Sequence, residues 1–253
     1  MPTPTQNHLG AAAAARRREA FRCFAVLWRF NFCLSLALGS LYPALSAEVS
    51  SWKQILFLAA ALISNFAMIY AVAAAMLLPA ILILPRRGVV LGLTVPFFTA
   101  LQIAILADLT VFRIFKFHIN GMVLNLFAVE GARDSVHLGG MTWLGIAVAI
   151  LALLGFQTWA GRRALLNPAP AGPAGVRPRT ALVLGFLLAA VLIDKSVYAA
   201  ADLLNLHAIT QFGRLLPLYQ PVTAKGFAER WLSFKVEREE GLSRSPNQGA
   251  LDY

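Results

Sequence analysis

Charged residues are scarce in this chain. Only 13% of its 253 residues are Asp, Glu, Lys or Arg, whereas 58% are hydrophobic. A soluble domain usually carries about 25% charged residues, so the composition excludes an ordinary soluble fold and indicates an integral membrane protein. The net charge is +10, but the arginines lie in short clusters beside apolar stretches. Such clusters are typical of membrane topology signals, and a nucleic-acid partner is not predicted.

Cysteine and catalytic motifs are also lacking. Cys23 and Cys33 share one apolar stretch and would lie about 15 Å apart on a helix, which is too far for a disulfide. The sequence has no Gly-x-Ser-x-Gly elbow, no phosphate-binding glycine loop and no His-Glu-x-x-His motif. His118 and His137 have no cysteine or carboxylate at ligand spacing. We therefore predict no catalytic residue, no metal and no cofactor, and do not expect this chain to be an enzyme.

Long apolar stretches are what the sequence does contain. About 20 such residues cross the hydrocarbon core as a helix, and five stretches qualify. They lie at residues 23–45, 54–84, 89–111, 141–161 and 180–202. The predicted fold class is therefore all-α integral membrane, with five transmembrane helices in a membrane domain of residues 23–205. The second stretch is unusually long and has Pro79 near its end, so it must tilt, kink or extend past the bilayer.

The distribution of arginine predicts the orientation of these helices. Alternate connecting segments carry Arg16, Arg17, Arg18, Arg22, Arg86, Arg87, Arg162, Arg163, Arg177 and Arg179, with Glu19 as the acid among them. The other loops mix both signs of charge. The positive-inside rule then places the basic tail, residues 1–22, in the cytoplasm and the C-terminus on the outer side.

A cleaved signal peptide is the alternative for the first stretch. It has a basic start, an apolar run and small residues near 44–47, as signal peptides do. Arg29 and Asn31 interrupt the apolar run, which favours a retained first helix. Cleavage would leave four spans.

Three charged residues lie within or at the ends of the spans. Asp108 ends the third span on the predicted outer side, and Asp194 and Lys195 lie in the outer half of the fifth. Charges inside a membrane are costly and normally face the protein interior or reach an interface. A proton relay or a substrate pathway is the functional interpretation. The structural one, which we favour, is a pair between Asp108 and Lys195 or a Lys195 that extends to the interface.

Residues 111–127 follow the third span and mix basic and apolar residues. Arg113, Lys116 and Asn120 recur at the spacing of one helical face, so we predict an amphipathic helix in the outer interface. A short strand is the local alternative.

The segment of residues 209–227 is apolar but contains Pro217 and Pro221, which prevent a continuous helix. Its backbone N–H groups, with Arg214, could hold a phosphate. A plain stalk on the membrane surface is the equal alternative. Residues 206–253 are expected to form a linker toward a further, globular domain.

Four segments carry a resemblance to a known family. They are "FNFCLSLALGSLYP", "ILADLTVFRIFKFHIN", "SVYAAAD" and "ITQFGRLLPLYQPVTAKGF". In order and spacing they resemble the N-terminal membrane domain of the PbgA/YejM inner-membrane proteins of Gram-negative bacteria. The resemblance covers residues 30–231 and is weakest in the second span and in the arginine-proline linker.

The resemblance implies a function for the segment after the last helix. In that family five helices precede a periplasmic linker and a sulfatase-like domain, and the linker holds the phosphates of lipid A in lipopolysaccharide. The family regulates lipopolysaccharide synthesis through a membrane adaptor of the lipid A deacetylase protease system. The implied localisation is the bacterial inner membrane, with a cytoplasmic N-terminus and a periplasmic C-terminus.

Two departures limit what can be carried over. The family arginine of this linker aligns with Gly213, so Arg214 is shifted by one position. The chain also lacks the metal-binding and nucleophile motifs of the sulfatase-like domain. It is expected to be either an excised membrane domain or a natural short form, and the charged tail favours excision.

The function implied by the resemblance is lipid binding without chemistry, to lipid A and to phospholipids. The residues expected to contact lipid are Thr210, Gln211, Phe212, Gly213, Arg214, Leu215 and Leu216, with Arg113 and Lys116 in support. One alternative is the membrane anchor of an alkaline-phosphatase-like phosphoethanolamine or glycerol-phosphate transferase. A small solute carrier that uses the intramembrane charges is the other.

Overall fold

The computed structural model describes residues 4–121, 140–166 and 178–223, together with residues 125 and 225. This part of the chain is helical and contains no strand. The helices, numbered here in chain order, are α1 (Pro4–Gly39), α2 (Leu41–Ser46), α3 (Trp52–Ile83), α4 (Arg87–Phe115), α5 (Gly140–Leu166), α6 (Pro178–Leu203), α7 (His207–Thr210) and a 3-10 helix (Gln211–Leu215).

Five helical segments are long and apolar enough to cross a membrane, and each coincides with a predicted span. The largest difference is at the first span. Helix α1 begins at Pro4, so residues 4–22 of the predicted basic tail extend the first helix. The apolar span itself runs over Ala12–Ser46 and includes α2.

The ends of the long second helix have local causes. The Ser51 side chain accepts a hydrogen bond from the Gln54 backbone N–H, while the Gln54 side chain accepts from the Ser51 N–H, so a capping box begins α3. Pro79 lies only four residues before the helix ends at Ile83. The helix therefore stays continuous over the whole apolar stretch.

The predicted interfacial helix from residue 111 is wrong at its start. Helix α4 continues through Phe115, so residues 111–115 belong to the third span. Lys116 then adopts the left-handed conformation with φ 59°, and its N–H bonds to the Phe112 carbonyl. This closing turn ends the helix. Residues 122–124 and 126–127 of the predicted helix lie outside the described residues.

Helix α1 is central to the bundle, because it packs against α3, α4 and α5, whereas α6 packs against α3. At the close approach of α1 and α3, Gly39 lies against the Phe66 ring, and a Cβ at this position would overlap that ring. The chain therefore needs glycine where the first helix ends.

The bundle has two chemically different ends. One carries Arg16, Arg86 and Arg162, and there the Arg87 Nη2 atom lies 3.0 Å from the Glu19 Oε1 atom, joining α4 to α1. We call this the arginine end. The other carries the α2–α3 turn, residues 116–121 and the segment after α6, and we call it the linker end.

Polar side chains join the helices inside the bundle. The Asn31 and Gln157 amides bond to each other across α1 and α5, at 2.7 and 3.4 Å. The Gln102 Nε2 atom on α4 donates to the Ser35 hydroxyl at 2.9 Å and to the Tyr70 hydroxyl at 3.1 Å. All five residues are buried. In an apolar surrounding such bonds fix which helix faces which, because an unpaired amide there is costly.

Replacing Gln157 by Leu is expected to destabilise the bundle by about 0.6 kcal/mol and by no more than about 1.7 kcal/mol, because the Asn31 amide loses its cross-helix partner. The double variant with Asn31→Leu should lose less than the two single losses combined, since no orphaned amide remains. Reversible unfolding in detergent measures both. Thr158→Val is the matched control, because Thr158 is the next residue and its hydroxyl bonds within α5. If Gln157→Leu lowers the free energy of unfolding no more than this control does, the Asn31–Gln157 bond does not stabilise the bundle.

Candidate functional site

The chain folds back on the bundle directly after the last span. Asn205, with φ 54°, turns the chain after α6. Helix α7 and the 3-10 helix follow, and the chain then turns at residues 217–218. We call residues 207–221 the linker segment. From the sequence, this part of the chain is predicted to be either a lipid-binding site or a plain stalk.

Two apolar side chains anchor the linker segment. Phe212 and Leu216 are each only 1% exposed, and they pack with Phe57, Leu58 and Ala61 of α3. Burying a large apolar side chain contributes about 1.5–3 kcal/mol in water. The segment is therefore seated on the bundle, and a plain stalk is not what the chain forms here.

The Asn65 side chain holds the proline turn of the segment. This residue of α3 is 3% exposed, and its Nδ2 atom donates to the Pro217 carbonyl at 2.9 Å. The next residue, Leu218, has φ 55°, a conformation that costs a residue other than glycine roughly 1–2 kcal/mol. Contacts on both sides of Leu218 hold this conformation.

Asp194 and Lys195 of α6 hold the end of the segment. The Tyr219 hydroxyl donates to the Asp194 Oδ1 atom at 2.7 Å, and the Lys195 Nζ atom lies 3.0 Å from the Oδ2 atom and bonds to the Gln220 carbonyl at 2.9 Å. The Oδ2 contact is an ion pair without hydrogen-bond alignment. Burial, and then the bond to Asp194, raises the pKa of Tyr219 above its usual range, so the phenol remains a donor at neutral pH.

A fourth attachment starts from Asp108 of α4. Its Oδ2 atom accepts from the Tyr42 hydroxyl at 2.7 Å and lies 2.7 Å from the His118 Nδ1 atom. The Nε2 atom of His118 lies 3.2 Å from the Arg214 carbonyl oxygen. A carboxylate and a carbonyl are both acceptors, so only the doubly protonated imidazole donates to both. His118 thereby links a carboxylate inside the bundle to the linker segment.

The predicted pair between Asp108 and Lys195 is wrong. Each charge has a nearer partner in its own region: Asp108 pairs with His118, and Lys195 with Asp194. All three predicted intramembrane polar residues lie at the linker end, and each contributes to holding the segment.

The cations predicted to bind lipid differ in whether other protein groups already contact their charged atoms. Arg214 is exposed, and in the described part of the chain its guanidinium forms no ion pair. Arg113 is exposed in the last turn of α4. The Lys116 Nζ atom is engaged with the Leu45 carbonyl at 3.2 Å and the Ser46 hydroxyl at 2.8 Å. Among the described residues, Arg214 and Arg113 therefore form no ion pair, whereas Lys116 is engaged.

A small cleft of about 130 Å³ lies between the end of α2 and the 3-10 helix of the linker segment. Its walls are Ser46, Ala47, Glu48, Gln211, Phe212 and Leu215. Ser46 is the residue that Lys116 contacts, so Lys116 borders the cleft, while Glu48 supplies an opposite charge. Thr210 precedes the cleft and is half-buried, with its N–H bonded to the Leu206 carbonyl.

Gly213 has a steric role. A Cβ at this position would lie 2.9 Å from the Tyr219 ring and 3.1 Å from the Tyr198 ring. A side chain here would have to displace one of the tyrosines.

Several residues that position the linker segment are not predicted from the sequence. Asn65, Tyr42 and Gln54 are the main ones; the Gln54 Nε2 atom donates to the Ala208 carbonyl at 3.2 Å. Asn65 could have been found as an amide within an otherwise apolar span. Nothing in the sequence signals that its partner lies so far along the chain.

These observations define a class: a multi-pass helical membrane protein whose last span is followed by a segment that folds back onto the helix ends. The chain belongs to the family of the domain of unknown function DUF3413, whose sequence profile matches residues 15–253. The family description assigns no activity, so the function has to be argued from the site.

Replacing Asn65 by Leu is expected to loosen the linker segment, because the Pro217 carbonyl loses its donor from α3. Amide hydrogen exchange in a peptide covering residues 209–221 should accelerate about tenfold, which corresponds to a lost bond worth about 1.4 kcal/mol. Gln157→Leu, which weakens the bundle elsewhere, should leave this exchange nearly unchanged. Equal acceleration in both variants would show that Asn65 has no specific role in docking.

Proposed function

We propose that the chain is a lipopolysaccharide-sensing membrane domain of the PbgA/YejM type, and that its linker segment binds the lipid A phosphates. It would lie in the bacterial inner membrane, with the linker end on the periplasmic side. The observation that carries the proposal is a docked linker segment that presents Arg214, exposed and without an ion pair to the described residues, at the end of a membrane bundle.

The geometry supports a preformed site. His118 contacts the Arg214 carbonyl. Phe212 and Leu216, two residues before and two residues after Arg214, are buried. The backbone is thus held independently of the guanidinium, which remains free for a ligand. Little conformational entropy is then lost on binding, which favours affinity.

The chemistry supports a phosphorylated lipid as the ligand. Guanidinium binds phosphate through paired hydrogen bonds. The exposed apolar residues next to it, with Leu218 71% and Val222 43% exposed, suit the boundary between acyl chains and headgroups. Arg113, on the last turn of α4, supplies a second exposed cation at the same end.

The resemblance adds a protein partner to the proposal. A membrane adaptor of the lipid A deacetylase protease system would contact the membrane-embedded surface at the arginine end of the first two spans. Val72 and Met76 of α3 are 61% and 64% exposed there and lie one turn apart on one face. Photo-crosslinking from position 76 in native membranes, with α5 position 151 as the control, tests this part; identical adducts from both positions would contradict it.

Replacing Arg214 by Ala is expected to weaken lipid A binding about tenfold, the loss of one charge-assisted phosphate contact of about 1.4 kcal/mol. Native mass spectrometry of the detergent-purified chain with added lipid A measures the bound fraction. Hydrogen exchange in residues 209–221 should not change, because the backbone contacts remain.

Arg162→Ala, an exposed arginine at the other end of the bundle, is the matched control and should bind lipid A like the wild type. The proposal fails if the wild type binds lipid A no better than phosphatidylglycerol, or if both variants lose binding equally.

A further inference from the structure

The arginine end contains a larger cleft that the lipid A proposal does not use. It has a volume of about 270 Å³ and lies between α1 and the turn that joins α3 to α4. Its lining residues are Ala13, Arg16, Arg17, Ile83, Leu84, Pro85 and Arg86. We call it the arginine cleft.

The arginine cleft is cationic. No acid is among the described residues that line it, and Glu19, the acid of the first helix, is paired with Arg87. In residues 4–121 the guanidiniums of Arg16, Arg17 and Arg86 form no ion pair or hydrogen bond with the protein. Clustered like charges without acceptors repel one another, so an anion bound between them would be stabilised.

The start of the next helix points the same way. Helix α4 begins at Arg87 with Arg86 at its N-cap, and no side chain caps it. An uncapped helix N-terminus adds N–H donors and a partial positive charge on the side where Arg86 lines the cleft.

The cleft also has an apolar wall. Ile83 and Leu84, at the end of the second span, are 76% and 50% exposed. Side chains of this kind at the end of a membrane-spanning helix lie beside acyl chains. A free anion would use the arginines alone, whereas a lipid would use both the arginines and this wall.

We propose that the arginine cleft binds the phosphodiester headgroup of an anionic phospholipid, with an acyl chain along Ile83 and Leu84. Arg16 and Arg86 approach the phosphate from the two sides of the cleft, α1 and the α3–α4 turn. Basic pockets between membrane helices bind lipid headgroups in this way. The bundle would then have a lipid site in each leaflet, and this second site does not depend on lipid A binding at the linker segment.

The test measures phosphatidylglycerol binding to the detergent-purified chain by native mass spectrometry. The double variant Arg16→Ala, Arg86→Ala should bind phosphatidylglycerol about thirtyfold more weakly, as expected when two cations no longer attract one headgroup. The control is the double variant Arg162→Ala, Arg163→Ala. It loses the same charge at the same end of the bundle but outside the cleft, so most of the phosphatidylglycerol binding should remain. Ala13→Trp fills the cleft without a charge change and should also lower binding.

The outcomes separate the possible ligands. Wild-type chain should prefer phosphatidylglycerol to phosphatidylethanolamine, and millimolar inorganic phosphate should not displace the lipid. Equal losses in the two arginine double variants would overturn the proposal in favour of a general charge effect. Displacement by inorganic phosphate would overturn it in favour of a soluble anion. Lipid A binding by the Arg16, Arg86 variant should be unchanged, which keeps this test separate from the one at Arg214.

Discussion

The carboxylate of Asp194 is completely buried near the end of a helix that spans the membrane, and an unpaired charge there would be prohibitively costly. Its partners are the adjacent Lys195 and the hydroxyl of Tyr219. Because Tyr219 belongs to the linker segment, the Asp194 carboxylate keeps its hydrogen bond to this hydroxyl only when the segment is docked. Asp108 adds a second link, because His118 contacts both its carboxylate and the Arg214 carbonyl. The position of the linker segment is therefore coupled to the stability of the helices beneath it.

This coupling bears on the proposed lipid-sensing function of the linker end. A segment held by side chains of α3, α4 and α6 can report a ligand at Arg214 to the bundle, because any displacement of its backbone disturbs buried polar contacts. The arginine end is built differently. There the arginines that line the cleft between α1 and the α3–α4 turn form no ion pair with the described residues, which leaves them available to an outside anion. The buried charges at the linker end are thus paired within the protein, whereas the cleft arginines are open to a ligand.

The sequence predicts the parts of this structure that depend on composition. Five apolar stretches give five helices because the length of a span is set by the bilayer, and prolines 217 and 221 correctly exclude a continuous helix after the last span. Pairing is harder. Asp108 and Lys195 lie at the same end, but sequence does not reveal that Asp194 and His118 are closer partners. The predicted interfacial helix fails at residue 111 because Lys116 closes α4 only after Phe115. Asn65 was missed since its acceptor, the Pro217 carbonyl, carries no side-chain signal.

The central claim is that the linker segment is docked on α3. The most direct measurement is photo-crosslinking from p-benzoylphenylalanine placed at Leu215 with the chain in lipid nanodiscs. This half-buried position packs against the cluster that Phe212 and Leu216 form with Phe57, Leu58 and Ala61 of α3. Mass spectrometry of the digested product should find the adduct on a peptide that contains residues 57–61 or on the adjacent α2–α3 turn. Adducts confined to lipid, with none on α3, would contradict the account.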